Sequence, residues 1–209
     1  MLKENLVRLI MVRHAQTDWN KNRLVQGGGV DSELNNTGLQ QAQRLGLALQ
    51  SVKLTAVYAG PLRRTRATAA PIAQKHGLEV ISEPDLIEMD AGDLNGAPVK
   101  QLGDLLNSYF SGNRDAGQFR MPGGESLAEL AARTWRATQR ILKQHPDGEV
   151  VAVSHHLALL TIICQALGLD LGYFRRMKLD IAAISILEFK NGRASLAQLN
   201  DTCHLNGLE

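Results

Sequence analysis

A three-layer α/β fold is predicted, with a mostly parallel central sheet, helices on both faces and an antiparallel hairpin at the C-terminal edge. Three observations predict it. Short apolar, β-branched runs alternate with helical patterns along most of the chain. Asn191-Gly192 sits between two alternating runs and is the dipeptide of a type I′ hairpin turn. No internal repeat and no Pro/Gly/Ser-rich linker interrupts the chain, so residues 1–209 read as one domain.

The elements follow in order. Leu6 to Val12 is apolar and β-branched and reads as a buried strand. Asn36 and Thr37 offer N-cap chemistry to a helix from about Leu39 to Gln50, with Leu39, Ala42, Gly46 and Leu49 as its apolar face. A strand is expected at Ala56 to Tyr58. Pro61 suits the first turn of a helix carrying Ala67, Ala70 and Ile72. Glu79 to Ile81 reads as a further strand after Gly77. The stretch from Asp90 to Gly124 holds seven of the 19 glycines and one weak helical segment, Leu102 to Tyr109, so a lid or insertion is expected at about 90–124. Ser126 and Glu129 form a capping box before a helix with Leu127, Leu130, Ala131, Trp135, Ile141 and Leu142 at helical spacing. Glu149 to Val153 is a strand, Ala158 to Leu167 an apolar helix, and Ala183 to Phe189 with Ala194 to Leu199 the final hairpin.

Composition narrows the function classes. Hydrophobic residues at 44% and charged residues at 21% exclude disordered and low-complexity classes. A net charge of +2 is too balanced for a nucleic-acid or anionic-membrane partner, so any strong positive field is local. Cys164 and Cys203 make neither a metal-ligand pattern nor a disulfide framework. The longest apolar run, Leu157 to Cys164, is far short of the ~20 residues of a membrane span. Lys3, Glu4 and Arg8 break up any apolar signal region. A soluble cytoplasmic protein is expected, without metal or cofactor; a homodimer is left open.

Sites in open α/β sheets form at the carboxyl ends of strands. Arg13 and His14 end the first strand, and His155 follows the Val150 to Val153 strand. Arg63 and Arg64 stand at a helix N-terminus, and Glu88 follows the Glu79 strand. If the strands are neighbours, histidines, arginines and a carboxylate meet at one mouth. Guanidinium forks match phosphate oxygens in charge and geometry. A histidine among arginines is held neutral, and neutral imidazole is a competent nucleophile. These residues point to metal-independent phosphoryl transfer through a phosphohistidine. From spacing alone, Asp85, Glu88, Asp90 and Asp93 are equal candidates for the proton donor.

The same residues resemble the histidine phosphatase superfamily, which includes cofactor-dependent phosphoglycerate mutases. Val12-Arg13-His14-Ala15-Gln16-Thr17, then Asn20 and Gln26-Gly27, is similar to its signature. Pro61 to Ala69, Leu86-Ile87-Glu88 with Gly92 and Gly96, Pro122-Gly123-Gly124-Glu125-Ser126, and Val153-Ser154-His155 resemble four further blocks in the family's order. The resemblance spans the first strand to the last hairpin. It implies His14 as nucleophile, Glu88 as proton donor, and Arg13, Arg64 and His155 as phosphoryl ligands. It further implies that Asn20 and the backbone near Gln26 and Gly27 complete the cradle. Arg64, not Arg63 or Arg66, is the implied phosphate arginine.

Ala15 and Gln16 depart from the commonest Gly and Glu, and His156 from the commonest Gly; His156 is expected near the site. Arg63 and Arg66 read as solvated helix face, and His76 and His145 as structural. Trp19, Trp135, Tyr109, Phe110, Phe119 and Met121 read as packing residues. Lys21, Arg23, Arg114 and Arg120 either steer anionic substrates or are solvated loop charge. The expected activity is hydrolysis of a small-molecule phosphomonoester. A phosphoglycerate mutase and a catalytically silent phospho-ligand binder are the alternatives. Residues 103–124 and the tail near His204 are expected to set substrate choice.

Overall fold

A computed structural model describes residues 6–112 and 115–208. Arg114 lies outside the described residues. A six-stranded sheet runs in the order β3-β2-β4-β1-β5-β6. The strands are β1 (Leu6–Arg13), β2 (Leu54–Ala59), β3 (Val80–Ser82), β4 (Gly148–Ser154), β5 (Ile184–Lys190) and β6 (Arg193–Asp201). The β1–β4, β2–β4 and β2–β3 pairs are parallel, and the β1–β5 and β5–β6 pairs antiparallel. Asn191 and Gly192 both take positive φ, 50° and 75°, the backbone a type I′ turn demands.

The helices are α1 (Asp18–Lys21), α2 (Asn36–Ala48), α3 (Arg63–Lys75), α4 (Val99–Phe110), α5 (Leu127–Gln144) and α6 (His156–Leu167). Strand alternation sorts the core into two layers. Leu9 and Met11 of β1, with Val150 and Ala152 of β4, pack on Leu130 and Ile141 of α5 and on α6. Ile10 and Val12, with Val151 and Val153, pack instead on Leu45 of α2 and Ile72 of α3. Both sheet faces are covered, which is why these strands read as continuous apolar runs. No helix of the described residues is long and apolar enough to cross a membrane.

Several local expectations are corrected. The cap of α2 is Asn35, whose side chain accepts from the Gly38 N–H, so the helix starts earlier than Leu39. Leu39 is 51% exposed, and Leu45 takes its place in the core. Pro61 precedes α3, whose N-cap is Leu62; Pro71 lies inside it. Ala70 faces solvent, while Arg64, Thr65, Thr68 and Ala69 are buried. A polar face turned inward there is the first structural mark of a site.

Described residues of the 90–124 stretch pack against the core. Tyr109, Phe110 and Phe119 form a ring cluster that reaches Phe174. Ala116, Phe119 and Met121 join the core layer under α5 and α6. The helix there is longer than its apolar signal, running from Val99 to Phe110.

Candidate active site

The sheet order puts β1 beside β4, with Arg13 opposite Ser154. His14 and His155 therefore leave adjacent strand ends. The His14 N–H donates to the Ser154 carbonyl at 2.9 Å, and the two rings stand 5.2 Å apart. His14 Nδ1 is 2.8 Å from the Ala15 carbonyl oxygen. A carbonyl only accepts, so Nδ1 carries the proton and Nε2 keeps its lone pair. Burial, then the Arg64 and Arg13 charges, hold His14 well below the usual imidazole pKa. It is neutral and nucleophilic at neutral pH.

Arg64, in the first turn of α3, has no exposed surface. Its Nη groups donate to the Val30 and Gly27 carbonyls at 2.5 and 3.3 Å, and its Nε to His155 Nδ1 at 3.2 Å. Gln26 turns its side-chain oxygen to Arg64 Nε at 2.8 Å and its amide to Thr17 Oγ1 at 2.7 Å. Burial lowers the Arg64 pKa to about 10, which leaves it charged at neutral pH. Thr68 ties the helix to the nucleophile's loop: its Oγ1 accepts from the Ala15 N–H at 2.9 Å and donates to the Arg64 carbonyl at 2.7 Å. His155 is also fully buried and held neutral, by burial first and then by Arg64. Its Nε2 has no partner among the described residues. Arg13 donates from Nη1 to the Leu179 carbonyl at 2.7 Å, and its Nε is likewise buried without a partner.

Glu88 faces His14 across a cavity of about 290 Å³ that both line. Its Oε1 accepts from the Met89 and Ala158 N–H groups at 2.9 and 3.2 Å, and Oε2 from Leu157 at 3.3 Å. The N-terminus of α6 thus grips the carboxyl group, which fixes its orientation. Asp85, Asp90 and Asp93 do not line the cavity; Arg64 and His155, fully buried, are not among its lining residues either and meet it through their contacts with the residues around His14. Asp85 instead pairs with Arg140 at 2.8 Å.

Asn20 lines the cavity; its side-chain oxygen accepts from the Thr17 N–H, which leaves its amide for a ligand. Gln26 and Gly27 line the cavity as well, with the Gly27 N–H held by Asn95 Oδ1 at 3.0 Å. Gly27 and Gly28 also let two loops touch. A Cβ on Gly28 would meet the Glu88 carbonyl at 2.6 Å. His156 lines the cavity with its Nδ1 3.4 Å from Arg13 Nη1, and burial with the Arg13 charge brings its pKa to about 4. Met121, expected only to pack, also lines the cavity.

Sequence reasoning missed Arg133. It lies on α5 and donates to the carbonyls of Asp85, Ile87 and Glu88 at 2.7–2.9 Å. Glu125 holds the same guanidinium through both oxygens, at 2.7 and 2.9 Å. This clamp fixes the loop that carries Glu88. The eight-residue interval from Glu125 to Arg133, across a helix N-terminus, was the signal available.

Arg63 and Arg66 are solvent-facing, with Arg63 paired to Glu33 at 2.8 Å. Arg120 pairs with Glu129 away from the cavity, and Arg23 lines an adjoining cleft with Asp180, Thr202 and Asn206. Among the described residues no group of three or more His, Cys, Asp or Glu side chains is placed to hold a metal ion.

A neutral buried histidine flanked by guanidinium groups and faced by a carboxyl group, at strand carboxyl ends, defines an enzyme that handles phosphoryl groups. The family comparison agrees: a family model for the histidine phosphatase superfamily (branch 1) matches residues 9–202. The chain belongs to that superfamily and is a phosphatase-type enzyme. It is 35% identical over 201 residues to phosphoserine phosphatase 1 of Hydrogenobacter thermophilus, covering 96% of this chain and 95% of that protein. It is 31% identical over 192 residues to a probable phosphoglycerate mutase of Salmonella choleraesuis, covering 90% and 87%. Among solved structures, a mycobacterial glucosyl-3-phosphoglycerate phosphatase superposes with a TM-score of 0.83 at 26% identity, covering 94% of this chain and 100% of that one. A phosphoserine phosphatase mutant of Entamoeba histolytica in complex with phosphoserine gives 0.82 at 27% identity, covering 95% and 99%.

Proposed function

We propose that this chain is a phosphomonoesterase that hydrolyses small phosphorylated metabolites through a phosphohistidine on His14. The observation that carries the reading is the state of His14: neutral, its Nδ1 proton committed to Ala15, its Nε2 free, and guanidinium groups on either side. In the first step Nε2 attacks phosphorus in line and the ester P–O bond breaks. Glu88 gives its proton to the leaving oxygen. In the second, the Glu88 carboxylate takes a proton from water, whose oxygen attacks phosphorus. The N–P bond breaks, inorganic phosphate leaves, and Glu88 is protonated again. Arg13, Arg64 and His155 spread the phosphoryl charge, and the Asn20 amide binds an oxygen.

Guanidinium groups supply charge stabilisation that a metal gives elsewhere, so activity is expected to persist in a chelator. The relatives named as phosphatases support hydrolysis as the outcome. The relative named as a probable mutase supports, more weakly, a second outcome in which the phosphohistidine returns its phosphate to bound glycerate. The reading places the enzyme in the cytoplasm, where unpaired thiols such as exposed Cys203 and buried Cys164 stay reduced.

Rapid quench with a ³²P-labelled ester, in EDTA, tests the proposal. The expected result is acid-labile label on His14 and release of free phosphate. Label on Ser or Asp, or none, contradicts it. Accumulation of an isomerised phosphoglycerate without free phosphate selects the mutase.

A further inference from the structure

Beside its polar residues the cavity carries apolar lining: Leu24, Met89, Val99, Leu102, Met121 and Leu157. They arrive from separate places: Leu24 from the loop after α1, Val99 and Leu102 from α4, Met89 and Met121 from loops, and Leu157 from α6. Among the described residues, Arg13 and Glu88 are the charged side chains lining the cavity. The mechanism occupies both, one with the phosphoryl group and one with the leaving oxygen.

Among the described residues, a leaving group bearing a carboxylate would find no further cation lining the cavity and would share it with Glu88. Desolvating a charge without a partner is costly. An apolar leaving group instead loses water on both sides. Arg23 lines the adjoining cleft with Asp180, and Arg13, Asn20, Leu24 and Val99 border both spaces. At about 290 Å³ the cavity stands at the lower end of small-molecule sites, with room for more than a phosphoryl group.

We propose that the preferred substrates are phosphomonoesters of an uncharged, apolar alcohol or phenol, rather than of amino-acid or glycerate carboxylates. The proposal rests on the phosphatase reading of the same pocket. It concerns the walls, not the chemistry, so binding tests it without turnover.

The experiment is calorimetric titration of the full-length protein with methyl-, propyl-, hexyl- and phenethylphosphonate. The phosphonate isostere of phosphoserine is titrated beside them. Affinity is expected to rise roughly fourfold per methylene until the cavity is full, the factor for complete burial of a CH₂. Hexylphosphonate should bind more tightly than the isostere. Val99 is 41% exposed, so Val99→Arg places a cation at the rim without disturbing the core. It should weaken hexylphosphonate and strengthen the isostere. A flat alkyl series overturns the proposal. So does an isostere that binds as tightly as hexylphosphonate in the unmodified protein, or one whose binding is lost in Arg23→Ala. Failure of the phosphatase reading looks different: no ester releases phosphate, yet the alkyl series still climbs.

Discussion

The two ends of the cavity are built differently. At the end built around His14, Arg64 and Glu88, the side chains are held by strand ends and hydrogen bonds. Arg64 alone donates to two carbonyls and His155, and Glu88 accepts three backbone N–H groups. Part of the apolar lining comes from α4, a helix with no fully buried residue, held by half-buried Leu102, Leu105 and Leu106, whereas Met89 and Met121 are fully buried. Chemistry needs groups held to a fraction of an ångström. Selection among leaving groups needs shape and apolarity, which many side chains supply. The first end is therefore rigid and residue-specific, and the second is open to exchange.

Variants sharpen that contrast. The largest effect is expected for His14→Ala, which should abolish both turnover and the phosphoenzyme, because it removes the proposed nucleophile. Next comes Glu88→Gln. A general acid contributes about 10²–10⁴-fold, so that loss is expected in single-turnover rates on alkyl phosphates. p-Nitrophenol leaves without a proton, so its loss should be much smaller. The new amide nitrogen faces a backbone N–H, so melting temperature is read alongside. Equal losses on alkyl and aryl esters would remove Glu88 from the proton-donor role.

Arg133→Met should reproduce the Glu88 pattern at lower amplitude, on the order of 10²-fold on alkyl esters, the penalty of a small misplacement. It also leaves Glu125 without its partner and lowers stability. A merely structural role would depress alkyl and aryl rates together, so the ratio decides.

The smallest effect is pH-dependent. His14, His155 and His156 are neutral when folded, and His156 protonates only near pH 4. Unfolded imidazoles take up protons near pH 6.5. The unfolded state therefore binds more protons between those values, and stability falls as pH drops from 6.5 towards 4. His156→Gln should flatten that slope in melting temperature against pH. An unchanged slope would mean His156 is not held neutral.

The difference between the ends also explains what was legible in the sequence. Arg13, His14 and His155 stand at strand ends and Arg64 in the first turn of a helix, so local patterns put them near one mouth, while the choice of Glu88 among four carboxylates and of Arg64 among neighbouring arginines came from the family resemblance. The hairpin was legible because Asn191-Gly192 states its own backbone geometry. Helix starts were less so: Asn35, Asn36 and Thr37 are all capping residues, and tertiary fit chose the first. That Asn95 takes the Gly27 N–H was not legible, because the two residues are distant in sequence. Arg133 was missed for the same reason, since it acts on carbonyls more than 40 residues away. The apolar wall gathers residues from position 24 to 157, and no local window contains it.

The division of labour itself is tested by timing the two half-reactions separately. His14 is loaded with label from a series of esters of different leaving groups, and the loss of label is then followed after a chase. Loading rates should differ from ester to ester and change in Val99→Arg. Label loss should follow one common rate, whichever ester supplied the phosphate, because every substrate yields the same phosphohistidine. A label-loss rate that depends on the ester used would contradict a shared intermediate, and with it the separation of chemistry from choice.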